Sequence, residues 1–148
     1  MNDRNYFENF AVETLKKILD NYNPTMESMG YTKLPLNDAN IKKYKSQNRG
    51  LSHIRTGKDY KGFIFVDKEN VVGFVNVNTS NNIIQAVEVD KKYQQQGIGK
   101  KLLDMAVREL HANELSVNKK NTVAINMYKK YGFKTFKQDD TMLYMKLK

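Results

Sequence analysis

The order of elements in this chain predicts an α+β fold built on one mixed sheet. Two observations carry that expectation. From Phe63 to Val89, apolar and β-branched runs separated by short polar turns read as a hairpin followed by a further strand. After Val89 the pattern changes to helix-like and strand-like segments in alternation, as far as Leu147.

Phe7, Phe10, Ala11, Leu15, Ile18, Leu19 and Tyr22 recur at helical spacing, so residues 4–22 are expected as an amphipathic helix that Asn23-Pro24 stops. Leu34-Pro35-Leu36 is a candidate first strand, and Asn37 a cap for a helix over 38–47. Residues 49–58 read as a loop. Phe63–Val66, the turn Asp67–Asn70 and Val71–Val77 form the hairpin, and Ser80-Asn81-Asn82 leads into the strand Ile83–Val89. A glycine-containing turn opens a helix over 99–112 whose Leu102, Leu103, Ala106, Val107 and Leu110 face the sheet. A strand over 114–118 follows, then a helix capped by Asn121 and ended at Gly132. Strands over 133–138 and 141–147 complete the chain. The organisation is an N-terminal helical extension, residues 1–30, packed on one domain of residues 31–148, with no repeat and no linker.

Composition bounds the chemistry. At 148 residues and 40% hydrophobic content the chain has material for one ordinary core. It has no cysteine, which excludes disulfides, a thiol nucleophile and thiolate metal sites. Two histidines far apart, His53 and His111, do not make a zinc site or a histidine-based triad. No apolar run approaches the roughly 20 residues of a membrane helix, and Met1–Phe10 has no secretory pattern, so the cytoplasm is the expected location. The net charge of +9 fits a polyanionic partner. The general abundance of Lys and Asn explains that charge equally well. The aromatic residues do not interleave with the basic ones in a stacking pattern, so nucleic acid is disfavoured.

The strand 83–89 runs into Gln94-Gln95-Gln96-Gly97-Ile98-Gly99-Lys100 and then a helix. Glycines at such a junction let a ligand approach the backbone, and the helix's first N–H groups with its dipole favour phosphate. Leu102 stands where a dinucleotide fingerprint needs its third glycine, and no P-loop pattern occurs. What remains is Gln94-x-x-Gly97-x-Gly99. Further on, Leu115-x-Val117 is followed by Asn121-x-x-Ala124-x-x-x-Tyr128-x-x-x-Gly132-Phe133. In these two motifs, their order and their separation, the chain resembles the GNAT superfamily of N-acetyltransferases over about residues 63–147.

That resemblance implies a mostly antiparallel central sheet flanked by helices, with its fourth and fifth strands, 83–89 and 114–118, splayed apart. It implies acetyl-CoA as cosubstrate and no metal. The pyrophosphate would sit on Gln94, Gln95, Gln96, Gly97, Ile98, Gly99 and Lys100. The pantetheine arm would pair with Val87 and Val89, and Asn121 and Tyr128 would also contact the coenzyme. Tyr128 occupies the position of the family's general-acid tyrosine, although a core tyrosine on the packed helix face would look the same. The extra N-terminal helix and the shortened 49–58 region depart from the family pattern where the acceptor binds.

Transfer of an acetyl group to an amine needs a neutral nucleophile, a stabilised oxyanion and a protonated leaving thiolate. Glu88 is a carboxylate inside a strand of Val and Ile, and partial burial would raise its pKa toward that of a useful base. A solvated or salt-bridged edge glutamate is its alternative, and Asp90 reads as a turn residue. The expected activity is N-acetylation of a primary amine by direct attack in a ternary complex. The alternatives are a non-catalytic acyl-CoA-binding module, a transferase of longer acyl chains and a basic interaction protein. The acceptor is either a small amine or a protein amine, lysine or N-terminus. Phe7 and Phe10 leave packing on this domain or in a homodimer open.

Overall fold

The computed structural model describes residues 14–15 and 24–147. The helix expected over 4–22, with Phe7 and Phe10, therefore lies outside the described residues but for Thr14 and Leu15. From Pro24 the chain makes a turn that seats Met26 in the core, and Tyr31 N–H donates to the Met26 carbonyl at 3.1 Å.

The elements that follow are β1 (Thr32–Pro35), α1 (Asp38–Tyr44), a 3-10 turn (Arg49–His53), β2 (Tyr60–Asp67), β3 (Asn70–Asn78) and β4 (Ile83–Val89). A 3-10 turn (Lys91–Tyr93) then leads to α2 (Ile98–Arg108), β5 (Glu114–Asn118), α3 (Thr122–Tyr131), β6 (Lys134–Gln138) and β7 (Met142–Lys146). The strands form a seven-stranded sheet in the order β1-β2-β3-β4-β5-β7-β6. Its pairs are antiparallel except β4 with β5. This is the mixed sheet that the order of elements predicts, mostly antiparallel as the family resemblance implies.

Helices cover both faces, which is why β3 is buried from Val71 to Val77. On one face Val72, Val75 and Val77 pack with Ile98, Leu102, Leu103 and Ala106 of α2 and with Phe133 and Met145. Leu102 and Leu103 are fully buried; shortening either to alanine costs about 2–5 kcal/mol. On the other face Val71 and Phe74 pack with Tyr44 of α1 and Leu51 of the first 3-10 turn.

Two helices end earlier than their apolar spacing predicts. Helix α1 stops at Tyr44 because Gln47 is drawn to the β2–β3 turn, where its amide donates to the Glu69 carbonyl and accepts from Val71 N–H. Helix α2 stops at Arg108, and His111 then turns the chain with a φ of 60° so that Leu110 and Ala112 enter the core. Within the 49–58 segment, read as a loop, Arg49–His53 forms a 3-10 turn capped by Asn48.

The site is created by one failure of pairing. Strands β4 and β5 are matched only at Ile83 and Glu114, beyond which they diverge. Their connection through α2 lies across this face, and β4 is irregular: Asn76 faces Ala86 while Val77 faces Ile84, leaving Gln85 as an extra residue. Such a bulge bends the strand locally.

Candidate active site

Between the diverging strands lies a cleft of about 230 Å³. Ala86 and Val87 of β4, Ser116 and Asn118 of β5, Asn121 at the N-cap of α3 and Tyr128 within it are among the residues that line it. Three predicted residues, Val87, Asn121 and Tyr128, thus meet at one place. Asn121 caps α3 by accepting from Ala124 N–H at 3.2 Å. Tyr128 is 8% exposed, with its ring edge on Phe133 at 6.1 Å between centroids. Burial raises its pKa above the ordinary 10.0, so its hydroxyl stays protonated and able to donate.

The glycine loop stands at the end of β4. Asp90 N–H bonds to the Val72 carbonyl, and the Asp90 carboxylate caps the Lys91–Tyr93 turn by accepting from Lys92 N–H. That is the turn role expected of Asp90. Gln94 folds back, its amide donating to the Val89 carbonyl at 3.1 Å. Val89 itself does not line the cleft; it packs against the main core.

Gln95 and Gly97 both have left-handed backbones, at φ of 65° and 79°. Gly97 is the N-cap of α2, and no side chain caps that helix. The first N–H groups of α2 consequently face an exposed loop with the positive end of the helix dipole behind them, which is the chemistry of an anion site. Gly99 is different. A methyl added there would approach Met127 Sδ at 3.2 Å, so this glycine lets α2 and α3 come together beside the loop. Lys100 and Lys130 border a second hollow of about 430 Å³ between those helices, floored by Met127 and edged by the exposed Val123.

Glu88 is displayed on the opposite face of β4 from Val87 and does not line the cleft. Its carboxylate reaches across to the first 3-10 turn, where a methyl added at Gly50 would collide with Glu88 Oε2. Burial raises the Glu88 pKa above 4.5 and the nearby Asp90 adds to the rise, while a hydrogen bond from Asn48 opposes it. The residue is exposed at the surface, so its carboxylate is only partly desolvated. Asn48 and Gly50 escape sequence reasoning because nothing in their own segment points to a strand distant in sequence. Ser116 was visible only as the polar member of an alternating strand, a pattern that a solvated face shares.

Among the described residues no group of three or more His, Asp or Glu side chains could hold a metal ion. None of the described helices is long and apolar enough to cross a membrane.

The sequence pattern of the acetyltransferase (GNAT) domain matches residues 21–142. The peptidyl-lysine N-acetyltransferase YjaB of Salmonella typhimurium is 35% identical over 68 residues, a stretch covering 46% of this chain and 46% of that protein. The alignment thus spans just under half the relative's length. Among solved structures, the ribosomal-protein-S18-alanine N-acetyltransferase of Escherichia coli superposes with a TM-score of 0.65 at 19% identity, over 79% of this chain and 92% of that one. The Campylobacter jejuni N-acetyltransferase PseH in complex with acetyl coenzyme A gives 0.55 at 19% identity, over 80% and 98%. Arabidopsis thaliana NAA60 with a bisubstrate analogue gives 0.57 at 18%, over 79% and 98%. At these identities the structural likeness is one of fold.

Proposed function

The chain belongs to the GNAT acetyltransferase family, and on that premise we propose that it moves an acetyl group from acetyl-CoA to a primary amine within a ternary complex. The observation that carries the proposal is the cleft between β4 and β5, which holds Tyr128 and is walled by the same strand that leads into the uncapped N-terminus of α2. The fold alone accommodates many chemistries; this pairing of an anion-binding helix end with a slot for an extended arm is more specific.

Acetyl-CoA would supply the acetyl group as a thioester. In this reading Gln94, Gln95, Gln96, Gly97, Ile98, Gly99 and Lys100 hold its pyrophosphate, with backbone N–H groups as the principal donors. Lys100 and Lys130, which border the hollow between α2 and α3, would neutralise the distal phosphate. Val87 and Asn121 line the cleft that would take the pantetheine arm, and Val89, outside the cleft, would meet the arm only where it leaves for the loop. The amine lone pair forms the new C–N bond, the C–S electron pair leaves with sulfur, and Tyr128 Oη gives that sulfur a proton. Glu88 receives the amine proton from the side of the Asn48–Gly50 turn, directly or through water; its raised pKa suits that task. The similar proteins include N-acetyltransferases of a peptidyl lysine and of a ribosomal-protein alanine, which supports a protein amine as the acceptor. The enzyme is proposed to work in the cytoplasm.

Calorimetric titration with acetyl-CoA, CoA and 3′-dephospho-CoA tests the reading. Micromolar affinity for the first two, weaker for the third, is the expected result; thiol release on adding lysine- or N-terminus-bearing peptides then identifies the acceptor. A protein that binds none of the three is not an acetyl-CoA enzyme.

A further inference from the structure

We infer that Tyr93 and Tyr31 are positioning residues that hold the coenzyme loop in its anion-binding shape, so that the segment before β1 sets acetyl-CoA affinity. The inference rests on the function proposed above, because it concerns the same loop. Its starting point is the backbone. Two of the three residues Gln95–Gly97 are left-handed, and one of them carries a side chain. A glutamine in that region is disfavoured, and such a conformation persists only where its surroundings over-determine it. Gln94, Gln95, Gln96 and Gly97 are all exposed, so packing of the loop's own side chains does not supply the constraint.

The constraint comes from either end. Downstream, Ile98 is fully buried and anchors the start of α2. Upstream, the Asp90–Tyr93 turn is closed by Tyr93 N–H on the Asp90 carbonyl at 2.8 Å. The turn is tied to the end of β2 by Tyr93 Oη, which donates to Asp67 Oδ2 at 3.2 Å. Burial and the Asp67 carboxylate both raise the Tyr93 pKa, which keeps that hydroxyl a donor. Tyr31 completes the brace. Its ring stands edge-on to Tyr93, 5.8 Å between centroids at 84°, and its hydroxyl reaches Gln96 Oε1 at 3.5 Å. Tyr31 is in turn fixed through its N–H on Met26, whose side chain is in the main core. A residue ahead of the first strand therefore touches both the turn before the loop and the loop itself.

A loop held in one shape before the ligand arrives binds it more tightly than one that must be ordered by it. The test compares two acetyl donors. S-acetylpantetheine has the thioester and the arm but no pyrophosphate, so the loop has nothing to grip. For Tyr93→Phe we expect the acetyl-CoA KM and the calorimetric Kd to rise about fivefold with kcat unchanged, the effect of one hydrogen bond of ~1 kcal/mol at 1.4 kcal/mol per tenfold. The kcat/KM for S-acetylpantetheine should stay at the wild-type value. Tyr31→Ala should show the same selective loss, and Tyr31→Phe, which keeps the ring on Tyr93, should recover most of it. Equal loss with both donors would mean general damage to the fold and would overturn the inference, as would unchanged acetyl-CoA affinity in Tyr93→Phe and Tyr31→Ala. Wild-type protein that binds no acetyl-CoA would overturn the proposed function and this inference together, a result distinct from any produced by the variants.

Discussion

Replacing Gly97 with alanine isolates the cost of the loop's backbone from every other effect. Gly97 has a φ of 79°, and a methyl group added there meets nothing within 4 Å. The penalty is therefore conformational, not steric. A left-handed L-residue costs about 1–2 kcal/mol, and the smaller unfolded-state entropy of alanine returns about 0.4–1 kcal/mol, for a net loss of about 1 kcal/mol. Unfolding entropy of about 2.1 cal/mol/K per residue over 148 residues converts this into a Tm lower by roughly 3 °C. Any relaxation of the loop toward ordinary φ should also weaken acetyl-CoA by about fivefold. Asparagine tolerates the left-handed region, so Gly97→Asn should recover most of both losses. Gln95→Gly should move the other way and raise Tm, since it removes the same strain at φ 65°. Melting followed by circular dichroism, with calorimetric titration, checks all three. The reasoning fails if Gly97→Ala melts with wild-type protein, or if Asn at that position is no better than Ala.

Further outcomes follow from the side chains of the site and from Asp139 in the β6–β7 turn. Tyr128→Phe should lower kcat by about 10²-fold or more with acetyl-CoA affinity retained, as loss of a general acid requires; an unchanged rate would leave Tyr128 as a packing residue only. Glu88 has its pKa above 4.5, so the ionised base forms only above that raised value and kcat/KM should climb with pH along a limb displaced upward. Glu88→Gln should flatten the limb. Because the folded form binds the Glu88 proton more tightly, the associated stability is present at low pH and lost as pH rises through the raised value. Melting temperatures of Glu88→Gln against pH should lack that trend. Asp139 behaves oppositely: hydrogen bonds from the Met142 and Thr141 N–H groups and from Tyr144 Oη hold its pKa at about 2 instead of 3.8. Its contribution is present above 3.8 and lost as pH falls through about 2. Asp139→Asn should therefore destabilise the β6–β7 hairpin near neutrality and leave little difference from wild type at the acid end, read from melts across that range.

Local features were legible in the sequence because their causes are local. A strand's alternation, the spacing of Leu102, Leu103 and Ala106, Asn121 as a cap and Gly132 as a stop each depend on residues within a few positions of one another. The glycine loop opening α2 was legible for the same reason, since Gly97 and the start of α2 are contiguous, and the two motifs together pointed to the family. Tyr128 was read both as a core tyrosine and as a residue of the coenzyme site; in the fold it is buried and it lines the cleft. Only the tertiary structure decided what surrounds these groups. It put the Glu88 carboxylate against Gly50 and Asn48, and it separated Glu88 from the cleft that Val87 lines. It set Tyr31 against a loop 65 positions away, and it allowed β4 and β5 one matched pair before they part. Contacts between distant segments leave no periodicity in either segment. They follow from how helices on both faces of a bulged sheet satisfy packing at once, a condition that the whole chain meets and no short stretch records.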